Sequence, residues 1–119
     1  MPARTKPSVL VVDDDEGICE TMADILDDMN YDVKTANDGY KALDLVNDHE
    51  YSMTLMDLRM PGLDGLETLK RMRQIRPAMK VVMITAYAGD ETLKEIRKMG
   101  VDGILTKPIK FSELLEYMP

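Results

Sequence analysis

The stretch that decides the fold is Leu55-Met56-Asp57-Leu58-Arg59-Met60-Pro61-Gly62, in which an apolar run ends in one carboxylate and a Pro-Gly turn follows. The run from Met53 to Met56 is too apolar for a surface strand and too short to span a membrane. It predicts a buried strand whose C-terminal end presents Asp57 at an opening. Taken alone, an aspartate at this place could also cap the helix that follows.

The rest of the chain alternates between strand-like and helix-like stretches. β-branched and apolar runs predict strands, and apolar residues spaced three and four apart predict helices between them. The predicted strands are 8–12, 32–36, 52–57, 80–85 and 103–106. The predicted helices occupy about 18–30, 39–49, 64–76, 90–99 and 111–118.

Five alternations of strand and helix without an internal repeat predict an α/β fold, a parallel sheet with helices on both faces. The second strand alternates polar and apolar residues, so we expect it at a sheet edge. The strand order is then 2-1-3-4-5, the doubly wound, flavodoxin-like arrangement that binds ligands at the carboxyl ends of its strands. The length of 119 residues predicts one domain, 1–119, with a loose leader at 1–7 and a short last helix.

Several helix details follow from local patterns. Asp38 is placed at a helix start, Asp64 with Glu67 matches a capping box, and Asp90 is placed as a cap. The first helix has one apolar face, which we expect to be buried: Ile18, Met22, Ile25, Leu26 and Met29. Three arginines near the end of the third helix are interpreted as a solvated face: Arg71, Arg73 and Arg76.

The composition excludes several classes of protein. A net charge of -7 and a pI of about 4.6 disfavour nucleic-acid binding and suit a cation site or a basic protein partner. One cysteine, Cys19, excludes an internal disulfide and favours a reducing compartment. No stretch resembles a signal peptide or a membrane span, so a cytoplasmic location is expected.

Side chains with chemical potential follow the predicted strands where each of them ends. They are Asp13, Asp14, Asp15, Asp57, Thr85 and Lys107. Clustered carboxylates repel unless a cation lies between them, and oxygen ligands without Cys or His indicate Mg2+, Mn2+ or Ca2+. A lysine suits a phosphate and a threonine supplies a hydroxyl donor. The set therefore fits the formation of an aspartyl phosphate.

Four motifs then occur in order, with domain-length spacing. They are Val11-Val12-Asp13-Asp14, the block from Met56 to Gly65, Ile84-Thr85-Ala86 and Lys107-Pro108; the stretch Asn37 to Leu43 adds a fifth match. Together they resemble the receiver domain of two-component response regulators, over residues 9–115. Each motif alone is weak, whereas the ordered set is highly specific.

The resemblance implies a role for each site residue. Asp57 would be the phosphoacceptor, and Lys107 would pair with a phosphoryl oxygen. Asp14 would be the principal carboxylate for Mg2+ (or Mn2+), with Asp13 helping directly or through water. Asp57 and the backbone carbonyl of Arg59 would complete the metal site. The family also implies a cis peptide between Lys107 and Pro108.

The resemblance further implies how a signal leaves the site. Thr85 would turn toward the attached phosphoryl group, and the fourth helix, fifth strand and last helix would shift population. The family often carries an aromatic residue three positions before the lysine. This chain departs from that pattern with Ile104, so Tyr87 or Tyr117 is an alternative participant.

Partners are implied in the same way. The phosphoryl donor would be a phosphohistidine on a sensor histidine kinase or a phosphotransfer protein, and the output would pass to an effector domain or protein. The chain would catalyse its own phosphorylation and dephosphorylation without being a turnover enzyme. It would be a monomer or a phosphorylation-dependent dimer, with no direct contact to nucleic acid or membrane.

Other functions remain open from the residues. A phosphorylation-independent interaction module with a receiver fold is the main alternative. A phosphatase or ATPase with an aspartyl intermediate lacks the Gly-x-x-x-x-Gly-Lys-Ser/Thr loop. A flavodoxin-like binder would set acidic strand ends against a cofactor phosphate. We interpret His49 as solvated and Cys19 as a small packing residue. Asp15 is expected to point to solvent or to begin the first helix, with at most a minor role in the site.

Overall fold

The computed structural model describes residues 6–86 and 89–119. The strands are β1 (Ser8–Val12), β2 (Asp32–Ala36), β3 (Met53–Asp57), β4 (Lys80–Thr85) and β5 (Gly103–Thr106). The helices are α1 (Glu16–Asp28), α2 (Gly39–Asp48), α3 (Gly65–Ile75), α4 (Asp90–Lys98) and α5 (Phe111–Leu115). This order confirms the predicted alternation. Tyr87, one alternative participant in the relay, lies outside the described residues.

The five strands form one parallel sheet in the predicted order β2-β1-β3-β4-β5. The register pairs Val12 with Met56, Asp57 with Ile84, and Thr85 with Thr106. The carboxyl ends of the four strands β1, β3, β4 and β5 therefore reach the same edge of the sheet. β2 is the outer strand next to β1, and its side chains alternate between exposed and half-buried until the buried Ala36.

Two hydrophobic cores cover the two faces of the sheet, because side chains along a strand alternate between faces. The core under α2, α3 and α4 includes Met56, Met72, Met83 and Ile96. The core under α1 and α5 includes Met22, Leu26, Met53 and Leu114. Methionines fill both cores, as their flexible thioethers adapt to irregular gaps. Among the described residues, no helix is both long and apolar enough to cross a membrane.

Three aspartates cap helices as the side-chain chemistry predicts. Asp15, Asp38 and Asp64 accept backbone N–H bonds at 3.2, 2.7 and 2.9 Å. Asp64 has only half of the expected capping box, because Glu67 instead accepts a bond from Arg71 at 3.3 Å.

The prediction that Asp90 caps the fourth helix is wrong. Gly89 is the N-cap of α4 and Asp90 is its first residue. A carboxylate in the first turn still complements the helix dipole, which explains why the sequence signal pointed to this position.

The expected buried face of α1 is only partly correct. Met22 and Leu26 are buried with Cys19, whereas Ile18 and Ile25 are 37% and 36% exposed. Each isoleucine precedes a buried residue by one position, so it lies about 100° around the helix from that residue, at the margin of the buried stripe.

The last helix is short, as predicted, but it ends at Leu115 rather than near Met118. The chain turns there, and the ring of Tyr117 lies against Gly103 at the start of β5, where no room for a Cβ atom remains. This packing directs the C-terminal residues back toward the sheet instead of continuing the helix.

The interpretation of the α3 arginines as a solvated face is wrong for two of the three. Arg73 donates to the carbonyl oxygens of Pro77, Met79, Met99 and Gly100. Arg76 donates to Val46 and Asn47 at the end of α2, and pairs with Glu50 at 3.3 Å. Helix ends leave carbonyl groups without intrahelical donors, and a guanidinium supplies several donors in a fixed plane.

Candidate functional site

Asp57 ends the buried strand β3 and is 4% exposed. The backbone continues in register beyond it, because Leu58 N–H donates to the carbonyl of Ile84 at 2.8 Å. α3 then starts so close that a Cβ atom at Gly65 would lie 2.6 Å from the Cα atom of Leu58 and would overlap the Asp57 carbonyl oxygen. Glycine is therefore required at the helix start for Asp57 to hold this place.

Three carboxylates meet at the carboxyl edge of the sheet. One oxygen each from Asp13, Asp14 and Asp57 lies within 4.8 Å of the other two. Asp13 is 4% exposed and accepts the N–H of Asp15 at 2.9 Å, whereas Asp14 is exposed. Burial raises the pKa of Asp13, and the nearby Asp57 carboxylate raises it further. The structure thus brings together the three aspartates proposed as metal ligands from the sequence.

Lys107 supplies the cation that faces this cluster. Its Nζ lies 3.0 Å from one oxygen of Asp57 and 3.8 Å from one oxygen of Asp13. Burial, the largest single influence, lowers the pKa of Lys107, but the hydrogen bond to Asp57 and the charges of the nearby aspartates together outweigh it, so the pKa is raised overall. The backbone N–H of Lys107 donates to the backbone carbonyl oxygen of Thr85 at 2.8 Å. The Lys107–Pro108 peptide is cis, as the resemblance implied.

Thr85 ends β4 at the same edge and is 4% exposed. Its hydroxyl is buried and has no hydrogen-bond partner among the described residues. A buried hydroxyl without a partner carries a free-energy cost, so this side chain gains from an acceptor brought to the site.

The remaining residues named from the sequence take different places. Arg59 is exposed after β3, and its backbone N–H donates to Asp57 at 3.3 Å. Asp15 caps α1, as interpreted. Ile104 in β5 is half-buried against the core under α2, α3 and α4.

Tyr117 lies against Gly103. His49 ends α2 and is exposed, as interpreted.

Cys19 packs next to the carboxylate cluster. The thiol is buried on α1 and donates to the carbonyl of Asp13 at 3.2 Å, so it packs directly under one of the clustered carboxylates. Burial raises the pKa of this thiol, and the Asp13 carboxylate adds to the effect. The thiol form is therefore favoured, which fits a packing role rather than a nucleophile.

An apolar cavity beside the carboxylate cluster was not foreseen from the sequence. It has a volume of about 500 Å3 and lies between α1 and the segment that follows β5. Ile18, Met22 and Ile109 line it, and it shares Asp13 and Lys107 with the cluster. The only sequence signal for it was the apolar character of Ile18, and the helical spacing had placed Ile18 in the core, on the buried face of the first helix.

The site as a whole combines a buried carboxylate, an ammonium at hydrogen-bond distance and an oxygen-only ligand cluster. Hard cations prefer such oxygen donors, and a cation would offset the burial and the carboxylate repulsion that raise the pKa of Asp13. The cluster can therefore hold a metal ion of the Mg2+ class. A carboxylate flanked by an ammonium and a metal site is equipped for phosphoryl transfer.

Comparisons with known proteins agree on one family. The family model described as the response regulator receiver domain matches residues 9–118. The transcriptional regulatory protein ZraR of Escherichia coli is 39% identical over 89% of this chain, and the chain spans 24% of that protein. The sporulation initiation phosphotransferase F of Bacillus subtilis is 31% identical, and the match covers 93% of each chain.

A solved structure shows the same fold. It is a response regulator of Burkholderia pseudomallei with a phosphorylated aspartic acid, a calcium ion and citrate. It superposes with a TM-score of 0.87 at 26% identity, over 96% of this chain and 67% of that one.

Proposed function

The chain belongs to the response regulator receiver domain family, and from that premise we propose that Asp57 accepts a phosphoryl group and thereby switches the domain. The observation that carries this proposal is the contact of Lys107 Nζ with Asp57 at 3.0 Å, beside two further carboxylates. The Burkholderia pseudomallei relative carries a phosphorylated aspartic acid, which supports the same chemistry here.

In the proposed reaction a carboxylate oxygen of Asp57 attacks the phosphorus of a phosphohistidine on a partner protein. An O–P bond forms, the P–N bond breaks, and its electron pair stays on the departing imidazole. Asp57 is held ready for this step by the Arg59 N–H on one oxygen and Lys107 on the other. Lys107 then pairs with an oxygen of the transferred group and offsets part of its charge.

We assign Asp13, Asp14 and Asp57, with the backbone carbonyl of Arg59, as the residues that would hold Mg2+ (or Mn2+). A bound divalent cation would neutralise charge that develops on the phosphoryl oxygens. The exposed Asp14 can adjust its side chain at little cost, whereas the buried Asp13 is fixed by the Asp15 N–H.

The switch that follows would begin at Thr85. Its buried hydroxyl lacks a partner among the described residues, and an attached phosphoryl group offers acceptor oxygens at the same edge of the sheet. Because Thr85 ends β4 and α4 is the next helix along the chain, a movement of Thr85 would change the position of α4. Ile104 in neighbouring β5 is half-buried. It would repack against the new positions of Thr85 and α4, whereas an aromatic residue at this position would rotate its ring.

The proposed phosphoryl donor is a sensor histidine kinase or a phosphotransfer protein. α1 borders the site and carries five acidic residues and no basic one: Glu16, Glu20, Asp24, Asp27 and Asp28. A donor that reaches Asp57 along α1 would therefore present basic side chains around an apolar contact with Ile18. An effector domain or protein, a single receiver domain over 1–119, a cytoplasmic location, and a monomer or phosphorylation-dependent dimer remain parts of the proposal.

The test uses beryllofluoride, which mimics a phosphoryl group on aspartate, with Mg2+ and amide NMR. We expect shift changes at Thr85, Lys107 and the cluster, and none of them in Asp57→Asn. A response that persists in Asp57→Asn, or no response in the wild type, would contradict the proposal.

A second candidate is a phosphorylation-independent interaction module, favoured by Ile104 at the usual aromatic position. A partner that binds the beryllofluoride form and the free form equally well would support this second function.

A further inference from the structure

One side chain of α3, that of Arg73, forms hydrogen bonds with the residues at the C-terminal end of α4. Arg73 donates from Nε to the carbonyl of Met99 at 3.1 Å and from Nη2 to Gly100 at 3.0 Å. The remaining nitrogen, Nη1, donates to Pro77 at 3.3 Å and to Met79. Arg73 therefore joins the residues that end α4 to the residues that lead into β4.

The N-terminal half of α4 is less buried than the C-terminal half, and Thr92 and Leu93 are its half-buried residues. Ile96, in the C-terminal half, is the buried residue of this helix. Asp90 and Glu91 are exposed, and the N-cap is Gly89, which has no side chain with which to cap. The ion pair between Lys70 and Glu95 at 3.6 Å lies just past the middle of α4, is half exposed and contributes little.

The two ends of β4 thus have different partners. Its first residues follow Met79, which Arg73 holds, and its last residue is Thr85 at the carboxylate cluster. α4 returns from the Thr85 end of the sheet to the Arg73 end. A change at Thr85 therefore reaches the less buried end of α4 first, while the other end stays bound.

We propose that Arg73 is the pivot of α4: it fixes the C-terminal end of the helix while the N-terminal half repositions when Asp57 is phosphorylated. This inference rests on the proposed function, because it specifies how the response of that site is carried through the domain. It assigns Arg73 a role in the shape of the response, distinct from the chemistry at Asp57.

The planar fork of Arg73 matters more than its charge. Arg97 and Lys98 already place positive charge in the last turn of α4, but both are exposed. A guanidinium directs donors to four carbonyl groups at once, whereas the single nitrogen of a lysine cannot span them. Lysine at this position is therefore expected to leave the charge and lose the pivot.

Arg76 provides a matched control on the same helix. It also donates to carbonyl groups at a helix end, but that helix is α2 rather than α4. Replacing either arginine by methionine removes one charge and several hydrogen bonds from α3. Only the Arg73 variant removes bonds to Met99 and Gly100.

The experiment compares the wild type with Arg73→Met, Arg73→Lys and Arg76→Met by amide NMR, with and without beryllofluoride and Mg2+. In the wild type we expect shift changes in residues 89–95 and small changes in residues 97–101. In Arg73→Met and Arg73→Lys the changes should extend through Gly100. Without beryllofluoride, the amides of Met99 and Gly100 should exchange about tenfold faster than in the wild type. Arg76→Met should behave as the wild type in α4.

The outcomes separate the two proposals. An Asp57-dependent response with the same extent in Arg73→Met and Arg76→Met would overturn the pivot and leave the proposed function standing. No Asp57-dependent response in the wild type would overturn the proposed function, while amide exchange without beryllofluoride would still report whether Arg73 holds the end of α4. If Arg73→Met does not fold, Arg73→Lys provides the same comparison.

Discussion

Replacing Asp13 by asparagine should stabilise the metal-free domain. Asp13 is 4% exposed, and its carboxylate lies within 4.8 Å of Asp57 and Asp14. At an effective dielectric constant of about 20, the repulsion between two charges no more than 4.8 Å apart is at least about 3.5 kcal/mol. The attraction to Lys107 at 3.8 Å is about 4.4 kcal/mol on the same scale.

The attraction of Asp13 to Lys107 and its repulsion from Asp57 nearly cancel. The cost of burying the Asp13 charge therefore remains, together with a screened repulsion from the exposed Asp14. This balance agrees with the pKa of Asp13, which burial raises. Asparagine removes the charge and keeps the acceptor for the Asp15 N–H, which now lies 2.9 Å from the carboxylate. We expect Asp13→Asn to raise the free energy of unfolding by about 1–2 kcal/mol without metal.

Mg2+ should reverse the order of the two proteins. A ligand at one hundred times its dissociation constant stabilises a fold by about 2.7 kcal/mol, and Asp13→Asn should lose most of that gain. Urea unfolding in EDTA and in MgCl2 measures both effects. Asp15→Asn is the matched control, because the exposed Asp15 is a helix cap and asparagine caps equally well. A metal-free Asp13→Asn less stable than the wild type, or one stabilised by Mg2+ as the wild type is, would refute the reasoning.

Three further predictions concern single substitutions. Tyr51→Phe should raise the free energy of unfolding by about 1 kcal/mol, because the buried Tyr51 hydroxyl has no partner among the described residues. Burial also raises the pKa of Tyr51, so the wild type should lose stability as the pH rises through about 10, the pKa of the unfolded tyrosine. Thermal melts of both proteins at neutral and alkaline pH would show whether the difference in stability between Tyr51→Phe and the wild type widens. Gly65→Ala should lower the free energy of unfolding by about 2–3 kcal/mol in urea, since its Cβ atom would lie 2.6 Å from the Leu58 Cα; an unchanged midpoint would contradict this packing. Lys107→Met should lower the metal-free stability by about 1–3 kcal/mol, because Asp57 and Asp13 lose their cation, and Mg2+ should recover part of the loss; a metal-free gain in the same titration would count against the predicted charge balance.

The fold was predictable because its signals are local and periodic. Apolar runs such as Val9 to Val12 mark buried parallel strands, and the alternating pattern of Asp32 to Ala36 marks the edge. The site followed from the topology, since strand ends that are distant in sequence meet at one edge. Asp13, Asp57, Thr85 and Lys107 therefore lie together, although their roles in phosphoryl transfer remain proposals.

The features that escaped prediction depend on where long side chains end in space. Nothing local to Arg73 indicates that its guanidinium reaches Met99, twenty-six positions away in sequence. The exposure of Ile18 depends on how α1 is rotated about its axis against the sheet. The spacing of apolar residues along a helix predicts this rotation only to within about one residue position. The apolar cavity lies between elements from both ends of the chain, so no single stretch of sequence contains it.

The methionines of the two cores give the domain a built-in set of spectroscopic reporters. Met53 and Met22 lie on the α1 side of the sheet, whereas Met56, Met72 and Met83 lie on the other side. Isotope labelling of one residue type would therefore place methyl probes in both layers without any substitution. Simultaneous line broadening on both sides would indicate a concerted rearrangement, and broadening on one side would locate the motion in that layer.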